Sequence, residues 1–156
     1  MTETMQMTDT NRIEKDVLLR APKARVWRAL SDASEFGTWF GVKLEGPFVV
    51  GNTVRGNVTN KGYEHIVFEM TIEILDPQDV FAYRWHPHPV DTAIDYSKEP
   101  TTLVEFRLEE TADGTRLTLV ESGFDQLSPE RRAMAFSGND KGWTSQMERI
   151  RRHVEG

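Results

Sequence analysis

One stretch constrains the fold more than any other. In HIVFEMTIEIL, His65 to Leu75, the residues Ile66, Phe68, Met70, Ile72 and Ile74 fall on one face, and Glu69, Thr71 and Glu73 on the other. Side chains of a strand alternate between faces, so this period of two predicts a half-buried strand. Neighbouring segments repeat the pattern. VFAYRW sets Phe81, Tyr83 and Trp85 against Arg84, and TLVEFRLEE turns Val104, Phe106 and Leu108 to one side. TRLTLVES does the same with Leu117 and Leu119, and shorter strand pieces in Val42–Val58 are broken at Gly46-Pro47 and Gly51-Asn52. Asp76-Pro77 with Gln78-Asp79 reads as a turn, and Asp113-Gly114 as a two-residue hairpin loop. An antiparallel sheet with one apolar face needs something to cover that face.

The two ends of the chain supply the cover. RIEKDVLLR, Arg12 to Arg20, reads as a first strand with Ile13, Val17 and Leu19 inward and Lys15 among them. APKARVWRAL then opens a helix, with Pro22 at the start, where its missing N–H costs nothing, and Val26, Trp27 and Leu30 on one face. Asp32 and Glu35 stand at capping-box spacing before a second helix whose apolar residues Phe36, Trp39 and Phe40 crowd into FGTWFG. The flanking Gly37 and Gly41 predict that this helix is short and mobile. Near the C-terminus, Ser128-Pro129 starts a helix and Gly138-Asn139 breaks it. A last helix then runs from about Lys141 to Val154, with Trp143, Met147, Ile150 and Val154 in one stripe. Only this helix is long enough to cover the sheet. The predicted fold is α+β: a curved antiparallel sheet of about seven strands wrapped around a long C-terminal helix, with two short helices after the first strand. Residues 1–11 are expected to be a disordered tail and residues 12–156 one domain.

Bulk properties remove several function classes. A net charge of −6 offers no basic field, and the dense Arg131-Arg132 and Arg149 with Arg151-Arg152 patches read as a solvated helix face, so nucleic acid is not an expected partner. The chain has no cysteine, hence no disulfide, thiol nucleophile, iron–sulfur cluster or Cys-ligated zinc. It has no G-x-G-x-x-G for a dinucleotide and no G-x-S-x-G nucleophile motif. The polar opening MTETMQMTDT is not a signal peptide, and no apolar run approaches the roughly 18 residues of a membrane span. A cytoplasmic protein with no membrane partner and no cofactor is expected.

FAYRWHPHPVDTAIDYSKEP, Phe81 to Pro100, holds two histidines and two carboxylates, His86, His88, Asp91 and Asp95. On a regular strand the two imidazoles would share a face. Pro87 and Pro89 prevent this: each withholds a ladder hydrogen bond and biases its predecessor toward an extended, threefold conformation in which the rings diverge. A stable metal site also needs three or four ligands, so no metal is expected. The strand should end near Trp85 or His86. The fifteen-residue connection from Pro87 to Thr101, long for a hairpin, is expected to border a cavity or an interface, with His86 or His88 as polar contacts.

APKARVWRALSDASEFGTWF, TRLTLVESGF and KGWTSQMERIRRHV, in this order, resemble the START-like (SRPBCC, helix-grip) superfamily. Within it they resemble the branch named after the activator of heat-shock protein 90 ATPase. The resemblance covers about Arg12 to Val154. It implies a cavity between sheet and C-terminal helix, and the superfamily includes lipid and hormone carriers, aromatic polyketide cyclases and co-chaperone domains. The eukaryotic co-chaperone carries a further N-terminal domain that supplies much of its client contact, for which 156 residues leave no room, so a co-chaperone role is not expected to follow from the name.

Combined with the strand alternation, such a cavity would be lined by Phe68, Met70, Tyr83, Trp85 and Phe106 from the sheet. Trp143, Met147 and Ile150 would come from the last helix, and Trp39 and Phe40 would sit near the mouth; taken singly each of these is more often plain core, and it is the aromatic composition of the group that points to a pocket. Glu121 shares inward parity with Leu117 and Leu119, and a buried charge needs partners. Three readings stand open for it: an ion pair with Lys15, a bulge that turns it outward, or a ligand anchor or general base. The expected function is binding of a small hydrophobic or aromatic molecule without catalysis. The alternatives are a cyclase- or hydrolase-type enzyme using Glu121, His86 or His88 as acid/base, and a chaperone-associated interaction module. A protein partner or a homodimer is possible on this reading.

Overall fold

The computed structural model describes residues 11–87 and 95–156. Strand β1 (Arg12–Leu19) is followed by helices α1 (Lys23–Ser31) and α2 (Ala33–Phe40). Strands β2 (Val42–Leu44), β3 (Thr53–Val58), β4 (Val67–Asp76), β5 (Val80–Trp85), β6 (Thr102–Thr111) and β7 (Gly114–Ser122) come next, and helix α3 (Pro129–Glu155) ends the chain. The strands form one antiparallel seven-stranded sheet in the order β1-β7-β6-β5-β4-β3-β2. Sequential hairpins account for every neighbour except β1, which returns to pair with the last strand, Lys15 lying opposite Leu119. Among the described residues no helix is long and apolar enough to cross a membrane.

Alternation places the core as expected, with one interruption. Met70, Ile72, Phe81, Tyr83, Phe106, Leu117 and Leu119 are buried on the face that α1, α2 and α3 cover. On β4 the register shifts between Ile72 and Ile74, a bulge that inverts the parity behind it. Ile74, expected on the inner face, is turned out and 37% exposed, and Leu75 packs inward instead. The β6–β7 loop is also displaced by one residue from the expected hairpin. Thr111 pairs with Gly114, so Ala112 and Asp113 form the turn.

The C-terminal helix corrects a larger expectation. Gly138-Asn139 does not interrupt it: α3 is continuous over 27 residues, from the Ser128 cap, whose side chain accepts from the Arg131 N–H, to Glu155. Two helical glycines cost about 1–2 kcal/mol of intrinsic propensity, and burial of Ala135, Trp143, Met147, Ile150 and Val154 against the sheet outweighs it. Helix α2 starts as its sequence implies, with the Asp32 carboxylate accepting from Glu35 N–H at 3.0 Å. Its glycines have distinct jobs. Gly41 takes the left-handed conformation (φ 93°) that ends the helix, whereas a methyl group on Gly37 would lie 2.2 Å from the Val42 carbonyl oxygen. Gly37 is therefore a point of contact between α2 and β2.

Candidate functional site

Glu121 is the centre of the interior. It is fully buried, on β7 opposite Val104 of β6 and Ile13 of β1. Neither the expected ion pair with Lys15 nor an outward bulge occurs. Lys15 instead reaches Asp140 of α3 at 3.0 Å, in a pair that is partly exposed. The Glu121 carboxyl is met by donors alone. Trp143 Nε1 donates to Oε1 at 2.8 Å, Trp85 Nε1 to Oε2 at 2.8 Å, Thr102 Oγ1 to Oε2 at 2.6 Å, and Asn139 Nδ2 to both oxygens at 3.0 and 3.1 Å. A carboxylate only accepts, so four neutral donors satisfy it, and among the described residues no cation pairs with it. The buried side chain draws strand β5, strand β6 and helix α3 onto one point.

Three of those four donors belong to residues that line a cavity of about 220 Å³ between α3 and the β3–β5 part of the sheet. Trp85, Asn139 and Trp143 form its inner wall. Phe40, Val58, Ile66 and Phe68 add apolar surface, Gly138, Gly142 and Gln146 continue the helix side, and Gly41 and Asn60 complete the lining. Its aromatic surfaces are held in a network: Trp85 and Trp143 have ring centroids 5.8 Å apart, and Phe40 lies 5.9 Å from each. No charged side chain lines it among the described residues.

Of the residues anticipated from sequence, the structure brings Phe40, Phe68, Trp85 and Trp143 to this cavity, with Glu121 directly behind two of them. Met70, Tyr83, Phe106, Met147 and Ile150 are buried in the packed core beside it. Trp39 is turned toward α1, its indole donating to the Ala29 carbonyl at 2.8 Å. Tyr83 is fully buried, and its hydroxyl has no hydrogen-bond partner among the described residues. Burial pushes the phenol well above its ordinary pKa, and the nearby Glu121 charge adds to this.

His86 stands away from the cavity, its Nε2 3.1 Å from the Glu99 carbonyl oxygen across the two ends of the long connection. Arg131 of α3 holds the same connection by donating to the Pro87 carbonyl at 2.8 Å, with its guanidinium 4.8 Å over the Tyr96 ring. The described parts of this segment, residue 87 and residues 95–101, do not line the cavity. His88 and Asp91 lie outside the described residues. No cluster of three or more His, Asp or Glu side chains able to hold a metal is present among the described residues.

Sequence reasoning missed Gly41, Val58, Asn60, Ile66, Gly138, Asn139, Gly142 and Gln146 as lining residues. Gly138-Asn139 reads as a helix breaker when Gly is taken by propensity alone. The available signal was spacing: Asn139, Gly142, Trp143 and Gln146 share the helix face that carries the apolar stripe.

Comparison with known proteins follows this geometry. No curated protein matches the chain in sequence. Among solved structures, protein MLL2253 of Mesorhizobium loti is 22% identical, with a TM-score of 0.73 over 92% of this chain and 96% of that one. DynU16, a protein of the dynemicin biosynthetic locus, is 25% identical with a TM-score of 0.72, over 93% of this chain and 47% of that one. The Aha1 dimer from Colwellia psychrerythraea is 15% identical with a TM-score of 0.68, over 92% of this chain and 96% of that one, a likeness of fold. The model of the Activator of Hsp90 ATPase homolog 1-like protein family matches residues 20–155, and the chain belongs to that family.

Proposed function

We propose that this protein binds a small hydrophobic or aromatic molecule in the cavity between sheet and C-terminal helix, without transforming it. The observation that carries this reading is the treatment of polar groups around the cavity. Both wall tryptophans spend their only donor on Glu121, so the polar ends of the indoles are engaged in the interior. The space is apolar with a few fixed polar groups, the usual make-up of a small-molecule site. At about 220 Å³ it lies below the roughly 300–1,000 Å³ of drug-sized pockets, which favours a compact ligand. Against catalysis stands the occupancy of Glu121: both its oxygens are already committed to donors of the fold. The similarity to DynU16, a protein in the dynemicin biosynthetic locus, supports the reading.

The test is native mass spectrometry of protein purified gently from its own host, beside the mass of the denatured chain. A non-covalent adduct is expected that is lost on denaturation and missing from a Gly142→Leu variant, whose side chain would fill the cavity. A bare native mass, together with no rise in melting temperature across a panel of apolar and aromatic compounds, would sink the reading, because a ligand that binds only the folded state must stabilise it.

A further inference from the structure

Resting on that reading, we propose that the cavity selects neutral aromatic molecules that carry a hydrogen-bond donor, a phenolic O–H in particular, and seats that donor on Asn139 Oδ1. The argument begins with the direction of the Asn139 amide. Its nitrogen must face Glu121, because a carboxylate cannot donate, and Nδ2 lies 3.0 and 3.1 Å from the two carboxylate oxygens. The carbonyl end is therefore directed away from Glu121, and among the described residues nothing donates to it. Asn139 belongs to the cavity wall, so this oxygen is an acceptor offered there.

The neighbouring polar groups sharpen the preference. Glu121 has taken the Trp85, Trp143 and Thr102 donors and one N–H of Asn139, so neither wall indole has a donor left for a ligand. Two turns along α3, Gln146 is locked the same way: its Nε2 donates to the Phe40 carbonyl at 2.9 Å, and its Oε1 is buried, with no partner among the described residues. Among the described residues, the acceptor left for a ligand on the helix side of the cavity is Asn139 Oδ1. A ligand without a donor would leave Asn139 Oδ1 unpaired, while an anion would also face the Glu121 charge behind the wall. Between Asn139 and Gln146 the helix surface is bare: a methyl group built on Gly142 meets no atom within 4 Å. A flat ring has room to lie across that glycine with its donor toward Asn139.

The experiment titrates 2-naphthol, 2-methoxynaphthalene and naphthalene into isotope-labelled full-length protein, following the indole N–H resonances of Trp85 and Trp143. The three probes share a ring system, and only the first can donate. 2-Naphthol is expected to bind about tenfold tighter than either of the others, the worth of one net hydrogen bond. Asn139→Ala should reduce it to the affinity of 2-methoxynaphthalene, and Gly142→Leu should abolish binding of all three. Equal affinities for the three probes in the wild-type protein would overturn donor selection and leave the cavity reading standing. Absence of binding by any of them, or undiminished binding to Gly142→Leu, would overturn the cavity reading and this inference with it.

Discussion

Trp85 Nε1 and Trp143 Nε1 each lie 2.8 Å from a different oxygen of the Glu121 carboxyl, so a sheet tryptophan and a helix tryptophan are fastened to one buried group. Removing the charge while keeping the shape tests how far that fastening holds α3 to the sheet. In Glu121→Gln, whichever way the amide turns, its NH₂ meets donors, and at least one of Trp85, Thr102, Asn139 and Trp143 loses its acceptor. Unsatisfied buried donors should cost about 2–4 kcal/mol. For a chain of this size that lowers the melting temperature on the order of 10 °C. A variant as stable as the parent would show that the network contributes nothing to the grip of the sheet on the helix.

Tyr83 invites the opposite change. Its hydroxyl is buried and unpartnered among the described residues, so the folded state already bears the cost of desolvating it. Tyr83→Phe should leave stability within about 1 kcal/mol of the parent, or raise it, as measured by urea denaturation. A clear loss would reveal a bound water or another hydrogen-bond partner at that hydroxyl.

The difference between what could be read ahead and what could not follows from the range of the interactions. Strand alternation is local, so the inward set Met70, Tyr83, Phe106, Leu117 and Leu119 and the inward parity of Glu121 were legible residue by residue. The bulge after Ile72 was not, because it comes from pairing with β5 rather than from the residues of β4. Glu121 shows the same limit at the site. Parity located it and burial demanded partners, yet the partner set is drawn from positions 85, 102, 139 and 143, which only the tertiary fold brings together. The Lys15 pairing failed for a related reason: parity puts Lys15 and Glu121 on one face, but the Lys15 side chain runs to Asp140, where it remains partly in water.

Gly37 and Gly142 are both helical glycines, and their replacement by alanine should have opposite signs. At Gly142 the added methyl enters open space, so Gly142→Ala gains helix propensity of about 0.5–1 kcal/mol. At Gly37 the methyl would meet the Val42 carbonyl oxygen at 2.2 Å, backbone that moves only if α2 separates from β2. Gly37→Ala should cost about 1–3 kcal/mol, the usual range for overpacking. Both values come from one set of chemical-denaturation curves. If the two variants shifted the midpoint in the same direction, either the close approach at Gly37 or the space beside Gly142 would be refuted.

Glu35 joins all three helices, accepting from Arg25 and, at 3.1 Å, Arg28 of α1, and contacting His153 Nε2 of α3 at 2.9 Å. Burial alone would raise its pKa. Hydrogen bonds from Arg25 and His153, with the Arg25 charge, outweigh that and hold the carboxyl below its ordinary value of 4.5. The folded chain therefore binds this proton less readily than the unfolded one, and stability rises with pH through the window between the two values. The contribution is complete above the unfolded value of 4.5 and is lost as pH falls through the lower, folded one. Glu35→Gln should be about 1 kcal/mol less stable than the parent at neutral pH, and its stability should fall less steeply on acidification. Urea unfolding of both proteins from about pH 3 to pH 7 reads this directly, because the two curves should converge at the acid end. Curves that stay parallel throughout would mean that the Glu35 cluster joins the helices without contributing to the acid sensitivity of the fold.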